Sequence, residues 1–230
     1  MGILDFFFPR KCLSCGRHGG YFCSDCLNLV SFNLERICPV CEKPSIGGQT
    51  HPRCQTKTSL DGLTSIFVYK GIIKKAIGKL KYQFVSDLAT DLAEIFLSFC
   101  GEDKFLDDFC LKEKPILVPI PLYFRREKWR GFNQSAVLGK MIAENLGISF
   151  FPNLLVRIKD TKPQAKLKEK EREKNIKNVF NISPTFHLSP TNYSVLLFDD
   201  VWTTGATLKE ATRVLKINGI RKVWGLTIAR

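Results

Sequence analysis

The 230-residue sequence predicts an α/β protein, a mainly parallel sheet covered by helices on both faces, behind a small N-terminal domain of metal-binding cysteine knuckles. Two observations carry this. From about residue 59 strand and helix signals alternate, and the strands are continuous apolar runs, as expected of strands buried on both faces. Before that point, seven of nine cysteines crowd into residues 12–54. The expected division is therefore 1–58 for the knuckle domain and 59–230 for the α/β domain.

The opening "MGILDFFFPR" has Asp5 inside its apolar patch, no basic start and Pro9. It reads as a segment packed on a core, not as a secretion signal, and Phe6 stands where a myristoylation signal wants a hydroxyl. The knuckles follow as Cys12 and Cys15, Cys23 and Cys26, Cys38 and Cys41, and His51 and Cys54, each pair separated by two residues. That spacing lets both side chains of a tight turn reach one ion tetrahedrally, and two knuckles complete a site. Two structural zinc ions are expected, with sequential and interleaved pairing both compatible with the spacing. An odd number of cysteines and no secretion signal argue against a disulfide framework. Four protein ligands leave no open position, so the ribbon is a clip or recognition surface and not a catalyst. Cys100 and Cys110 are read as packing residues.

In the larger part, "LTSIFVYKG" reads as a strand and "IIKKAIGKLKY" as a helix with lysines on its outer face. "SDLATDLAEIFLSF" is an amphipathic helix, "PILVPIP" a short buried strand, and "NQSAVLGKMIAENLG" a helix stopped by Gly147. "VLLFD" is a buried strand, "TLKEATRVLKING" a helix and "KVWGLTIA" a final strand. No apolar run approaches the roughly 20 residues of a membrane-spanning helix, so a cytoplasmic protein without membrane insertion is expected. The formal charge of +13 favours a polyanionic partner, nucleic acid first.

The stretch "VLLFDDVWTTGATL" (195–208) concentrates the chemistry. "TTGAT" opens a helix, so its amides and the positive end of the helix dipole are available to a phosphate. Small residues allow close approach, and Thr203, Thr204 and Thr207 add hydroxyls. Asp199 and Asp200 stand about a ribose away, suited to accept from vicinal hydroxyls or to hold Mg²⁺ through water. Trp202 is read as packing beneath the loop.

Four apolar residues, two acids, two apolar residues and Thr-Thr-Gly-x-Thr resemble the phosphoribosyl pyrophosphate loop of type I phosphoribosyltransferases. With "VPIPLYFRREKWRGFNQS" (118–135), "DTKPQAKLKEKEREKN" (160–175), "VWGLTIAR" and the cysteine cluster, nearly the whole chain resembles the ComF family of bacterial competence proteins. The resemblance implies a sheet of the type I phosphoribosyltransferase kind and a role in handling incoming single-stranded DNA during natural transformation, alongside other DNA-uptake proteins such as a helicase. It implies that Asp199 and Asp200 bind ribose, and that Thr203, Thr204, Gly205, Ala206 and Thr207 cradle its 5′-phosphate. The stretch after "VPIP" is read as a turn, and its Arg125, Arg126 and Arg130 are implied candidates for pyrophosphate, with Gly131 allowing close approach and Asn133 and Gln134 adding polar contacts. Residues 157–177, nine basic and four acidic, correspond to a flap over the substrate, with Lys166, Lys168 and Arg172 as candidates for pyrophosphate or DNA.

The family usually has Cys where His51 stands, and purine-salvage enzymes have an acid where Thr203 stands, which disfavours a 6-oxopurine acceptor. No catalytic residue is assigned. Two readings follow. In one, a competence factor binds phosphoribosyl pyrophosphate with Mg²⁺ and single-stranded DNA. In the other, an active phosphoribosyltransferase acts on an acceptor the sequence does not identify. For DNA, the expected contact face is Lys74, Lys75, Lys79, Lys81, Arg125, Arg126, Lys128, Arg130 and the 157–177 segment. Tyr82, Phe84, Phe124, Trp129 and Phe132 are the candidate stacking rings, Phe132 being the one expected in the core.

Overall fold

The computed structural model describes residues 10–82, 86–101, 103–161, 169–185 and 193–230. The opening segment, Phe84, Lys166 and Lys168 lie outside the described residues, as does the side chain of Arg172. A four-stranded sheet forms the centre, from β1 (Gly62–Phe67), β2 (Ile116–Pro119), β5 (Ser194–Val201) and β6 (Lys222–Ala229). The order is β1-β6-β5-β2 and every pairing is parallel. A two-stranded antiparallel unit, β3 (Leu155–Arg157) and β4 (Phe180–Ile182), stands beside it.

The continuous apolar runs are buried on both faces. Leu196 and Phe198 of β5 and Trp224, Leu226 and Ile228 of β6 face one core. Helices α2 (Gly71–Tyr82), α3 (Ser86–Cys100), α4 (Lys104–Glu113) and α6 (Gln134–Leu146) follow in the chain on the way to β5, and their apolar faces supply Ile73, Leu92, Leu106 and Ile142 to that core. Val195, Leu197 and Val223 face the second core, which is closed by α8 (Ala206–Ile217) through Leu208, Ala211 and Leu215. Between lie α5 (Phe124–Arg130) and α7 (Glu169–Ile176). Asn133 caps α6 through the Ser135 amide at 3.0 Å, and Gly147 ends it at φ 64, as its sequence predicts.

The N-terminal region docks on the edge of β1. It contains a one-turn helix, α1 (Ser24–Leu27). The Asn33 amide donates to the Ile66 carbonyl at 2.7 Å, and the Val68 amide to that of Ser31 at 2.9 Å. Arg36 pairs with buried Asp103 at 2.8 Å and donates to the Ser65 carbonyl at 3.0 Å. Gly48, at φ 78, lies so close to β1 that a Cβ there would meet the Leu63 carbonyl oxygen at 2.1 Å. The ribbon thus covers an edge strand that would otherwise expose unpaired backbone groups. Among the described residues no helix is long and apolar enough to cross a membrane.

Candidate phosphoribosyl site and zinc ribbon

The two knuckle sets resolve sequentially. Cys12, Cys15, Cys23 and Cys26 bring their sulfurs within 4.8 Å of one another, and the sulfurs of Cys38, Cys41 and Cys54 gather within the same distance of one another and of a ring nitrogen of His51. Both begin with the same turn. The Gly16 amide donates to the Cys12 carbonyl at 2.9 Å and the Glu42 amide to that of Cys38 at 2.8 Å, with left-handed backbone at Gly16 and Glu42. The sulfurs of Cys15 and Cys23 are 3.6 Å apart, against about 3.8 Å for a tetrahedron with Zn–S near 2.3 Å. His51 turns Nδ1 to Cys41 at 3.4 Å and donates Nε2–H to the Pro44 carbonyl at 3.0 Å, an outer hydrogen bond that fixes the tautomer a metal needs. Burial raises the Cys12 thiol, but backbone amides of Cys15, Ser14 and Cys23 outweigh it and hold the group down at about 6. The same balance of burial against amide donors lowers Cys38, so each set includes a readily ionised ligand. Both sets fit structural zinc. Cys100 is buried, and burial pushes its thiol up, as suits a packing residue.

The acidic pair stands at the carboxyl end of β5, where parallel sheets present ligand sites. Asp200 is buried and Asp199 half-buried. Gln134, on the first turn of α6, donates to Asp200 Oδ2 at 3.0 Å, and Ser135 Oγ donates to Asp199 Oδ1 at 3.1 Å. The Asp200 amide also donates to Asp199 Oδ1 at 2.9 Å. Lys81, near the end of α2, places Nζ 3.1 Å from Asp200 Oδ1. With a cation directly on Asp200, Asp199 bears the like-charge penalty. Burial first, and Asp200 second, push it up to about 7, with Lys81 opposing.

Beyond the acids the chain turns through Trp202 to Gly205, which is left-handed at φ 67 and forms the N-cap of α8 without any side-chain cap. The first-turn amides of α8 are therefore open to an anion. Thr203 is exposed, Thr207 half-buried and Ala206 buried. Thr204 is nine-tenths buried, and its hydroxyl has no partner among the described residues. Trp202 packs beneath, 2% exposed, and a Cβ on Gly205 would meet its ring at 2.1 Å. Lys209 Nζ holds the Thr204 carbonyl at 3.1 Å, lies 5.4 Å from the Trp202 ring, and pairs with Glu42 of the second knuckle at 3.1 Å.

The basic stretch after β2 differs from its sequence reading as a turn: it is helix α5, ended by left-handed Gly131. Arg130 donates to Gln134 Oε1 at 2.7 Å, so it reaches the acidic pair through that amide. Arg126 pairs with Asp160 at 3.2 Å, while Arg125 is exposed over the Phe124 ring at 5.7 Å. Asn133 and Gln134, read as pyrophosphate contacts, are committed to capping α6 and to Asp200. Lys81, read as part of the DNA face, is turned to Asp200 instead. Ser135 was missed as a site residue, and Arg157 was read only as the start of the basic 157–177 segment. Arg157 extends from β3, which is paired beside Tyr123, and its charge acts on Asp199. Burial, then Arg126, lower its guanidinium to about 10, and its Nε has no partner among the described residues. A cavity of 310 Å³ between ribbon and sheet, lined by Phe32, Arg36, Phe99 and Asp103 among others, shares no lining residue with the acidic pair.

Residues 3–55 match the family model of the double zinc ribbon domain. The chain is 30% identical over 212 residues to the DNA utilization protein YhgH of Salmonella typhimurium, covering 89% of this chain and 88% of that protein. It is 28% identical over 208 residues to competence protein ComFC of Bacillus subtilis, covering 86% and 78%. A 121-residue match at 37% identity to competence protein F of Haemophilus influenzae spans 52% of each chain, about half the length of that relative.

Proposed function

The chain belongs to the ComF family of competence and DNA utilization proteins, and from that premise we propose that it binds phosphoribosyl pyrophosphate at the end of β5 and single-stranded DNA on the adjoining basic face, as a cytoplasmic competence factor in DNA uptake. The carrying observation is the acidic pair, Asp200 buried and Asp199 half-buried, set directly before an uncapped helix N-terminus where the buried Thr204 hydroxyl has no partner among the described residues. The amides of residues 205–207 and the threonine hydroxyls hold the 5′-phosphate, and small side chains let it approach. Asp199 and Asp200 accept from the 2′ and 3′ hydroxyls. Arg126, Arg130 and Arg157 supply positive charge for the diphosphate, whose own charge brings Mg²⁺ with it.

Support for DNA comes from α5 and the end of α2. Phe124 and Trp129 are 61% and 75% exposed on the helix that carries exposed Arg125 and Lys128, and Tyr82 at the end of α2 is 71% exposed. Arg130 lies 5.9 Å from the Tyr82 ring. Stacking rings interleaved with cations suit unpaired bases and a phosphate backbone. The lysine-rich flap and other DNA-uptake proteins, a helicase among them, complete the proposed set of contacts.

Calorimetric titration with phosphoribosyl pyrophosphate and Mg²⁺ tests the site. The Asp199→Asn/Asp200→Asn double variant keeps the shape of the pair and is expected to fold normally and lose binding. Unchanged affinity returns the acids to a structural role. Release of pyrophosphate on adding an acceptor moves the assignment to an active transferase.

A further inference from the structure

The acidic pair carries a cation of its own. Lys81 Nζ is 3.1 Å from Asp200 Oδ1, with the lysine side chain 28% exposed and that of Asp200 6%. Burial would pull its ammonium down, but the Asp200 charge and then that of Asp199 outweigh this and hold it above its ordinary value, so it is charged at neutral pH. Three of the four carboxylate oxygens are engaged within the protein, by Lys81, Gln134, and Ser135 together with the Asp200 amide. A divalent ion such as Mg²⁺ demands near-octahedral oxygen coordination and gives up water reluctantly. To settle on this pair it would have to displace a like charge from a partly buried position and break a hydrogen bond from Gln134 or Ser135.

We infer that Lys81 is the resident counter-cation of the site: it fills the place beside Asp200 that a divalent ion would take, so that the carboxylates meet sugar hydroxyls without an intervening metal. This rests on the phosphoribosyl reading of the loop, and it confines any Mg²⁺ to the diphosphate end of the ligand. Lys81 is thereby a positioning and specificity residue, selecting a hydroxylated sugar over a bare metal ion. The ammonium also limits the repulsion between Asp199 and Asp200, which are adjacent at the carboxyl end of β5.

The test is a Mn²⁺ titration of the zinc-loaded full chain, with Mn²⁺ the probe for a divalent site. Wild type and Asp199→Asn/Asp200→Asn are expected to bind Mn²⁺ equally weakly, because the native pair does not take the ion. Lys81→Gln is expected to gain a site at least tenfold tighter, lost again when Asp199→Asn is added, while Lys81→Arg behaves as wild type. A wild-type Mn²⁺ site as tight as that of Lys81→Gln and dependent on the two acids would overturn the inference. So would a folded Lys81→Gln that gains no Mn²⁺ affinity. Ribose 5-phosphate gives a second measurement that needs no variant: its affinity for wild type should change less than twofold when Mg²⁺ is added, and a tenfold tightening overturns the inference. If ribose 5-phosphate does not bind at all, the phosphoribosyl reading fails, and the Mn²⁺ comparison still decides the role of Lys81.

Discussion

Asp199 and Asp200 are chemically alike and adjacent, yet the fold gives them different burdens. Asp200 has Lys81 at 3.1 Å, whereas Asp199 is pushed up to about 7 by burial and by its neighbour. An unfolded aspartate ionises near 4, so between roughly pH 4 and 7 the native state holds a proton the unfolded chain has released. Stability from this group therefore falls as pH rises through that window and is level above it. Asp199→Asn abolishes the effect, so the variant should gain on wild type between pH 5 and 8 by on the order of 1–3 kcal/mol, read from urea midpoints. A constant difference across that range would show that Asp199 ionises normally. Gly205 illustrates a different residue-level constraint. Its φ of 67 and the 2.1 Å approach of the Trp202 ring to a would-be Cβ leave no room for alanine. Gly205→Ala should cost roughly 2–4 kcal/mol from backbone strain and overpacking together, measured by chemical denaturation. The acidic pair and the glycine are legible in sequence because their order along the chain is their chemistry. Lys81 is not, since nothing within "KLKY" says that its third residue meets Asp200 more than a hundred positions later.

Helix α5 divides its cations between two duties. Arg126 and Arg130 turn inward to Asp160 and Gln134, while Arg125 and Lys128 stay exposed beside Trp129. Sequence reading treated this stretch as a turn because seven residues with little apolar periodicity carry no clear helix signal. What makes it helical is local but subtle: extended Tyr123 at its start, and left-handed Gly131 at its end with its amide on the Glu127 carbonyl. For single-stranded DNA, Trp129→Ala should weaken binding by about 1–3 kcal/mol through one lost stacking platform. Arg125→Ala/Lys128→Ala should reduce the slope of log affinity against log salt by about 1.4, at roughly 0.7 per phosphate contact. Fluorescent-oligonucleotide titrations over a salt series measure both. A slope unchanged in the double variant would remove this face of α5 from the DNA surface. Arg126→Ala/Arg130→Ala should instead act mainly on phosphoribosyl pyrophosphate affinity. The strong elements were legible: α2, α3, α6, α8 and the four sheet strands fall where apolar periodicity and capping residues put them. Strands β3 and β4 were not, because three residues each are too few to show a period.

At the scale of the molecule, the ribbon and the sheet are joined along β1 and through Glu42 to Lys209, which also holds the Thr204 carbonyl. Purified protein should carry about two zinc ions by elemental analysis, one for each set of four ligands. The proposed division at 58/59 predicts that chelation unfolds residues 1–58, which have little other core, while the sheet keeps its circular dichroism. The remaining domain should melt at a lower temperature than the intact chain, because Asn33, Arg36 and Gly48 no longer cover β1. Simultaneous loss of all structure on chelation would show instead that ribbon and sheet are one cooperative unit. The sequence by itself determined the fold class, the zinc ligands and the acidic pair with its loop, because each is written at short range: a two-residue gap between ligands, a buried strand's unbroken apolar run, small residues opening a helix. Only the tertiary structure decided that the knuckles pair in sequence, that Lys81 neutralises Asp200, and that Gln134, Ser135 and Arg157 gather at the strand end. Those contacts join positions far apart in the chain, and which of many compatible charges meet depends on how packed helices and a twisted sheet bring them together.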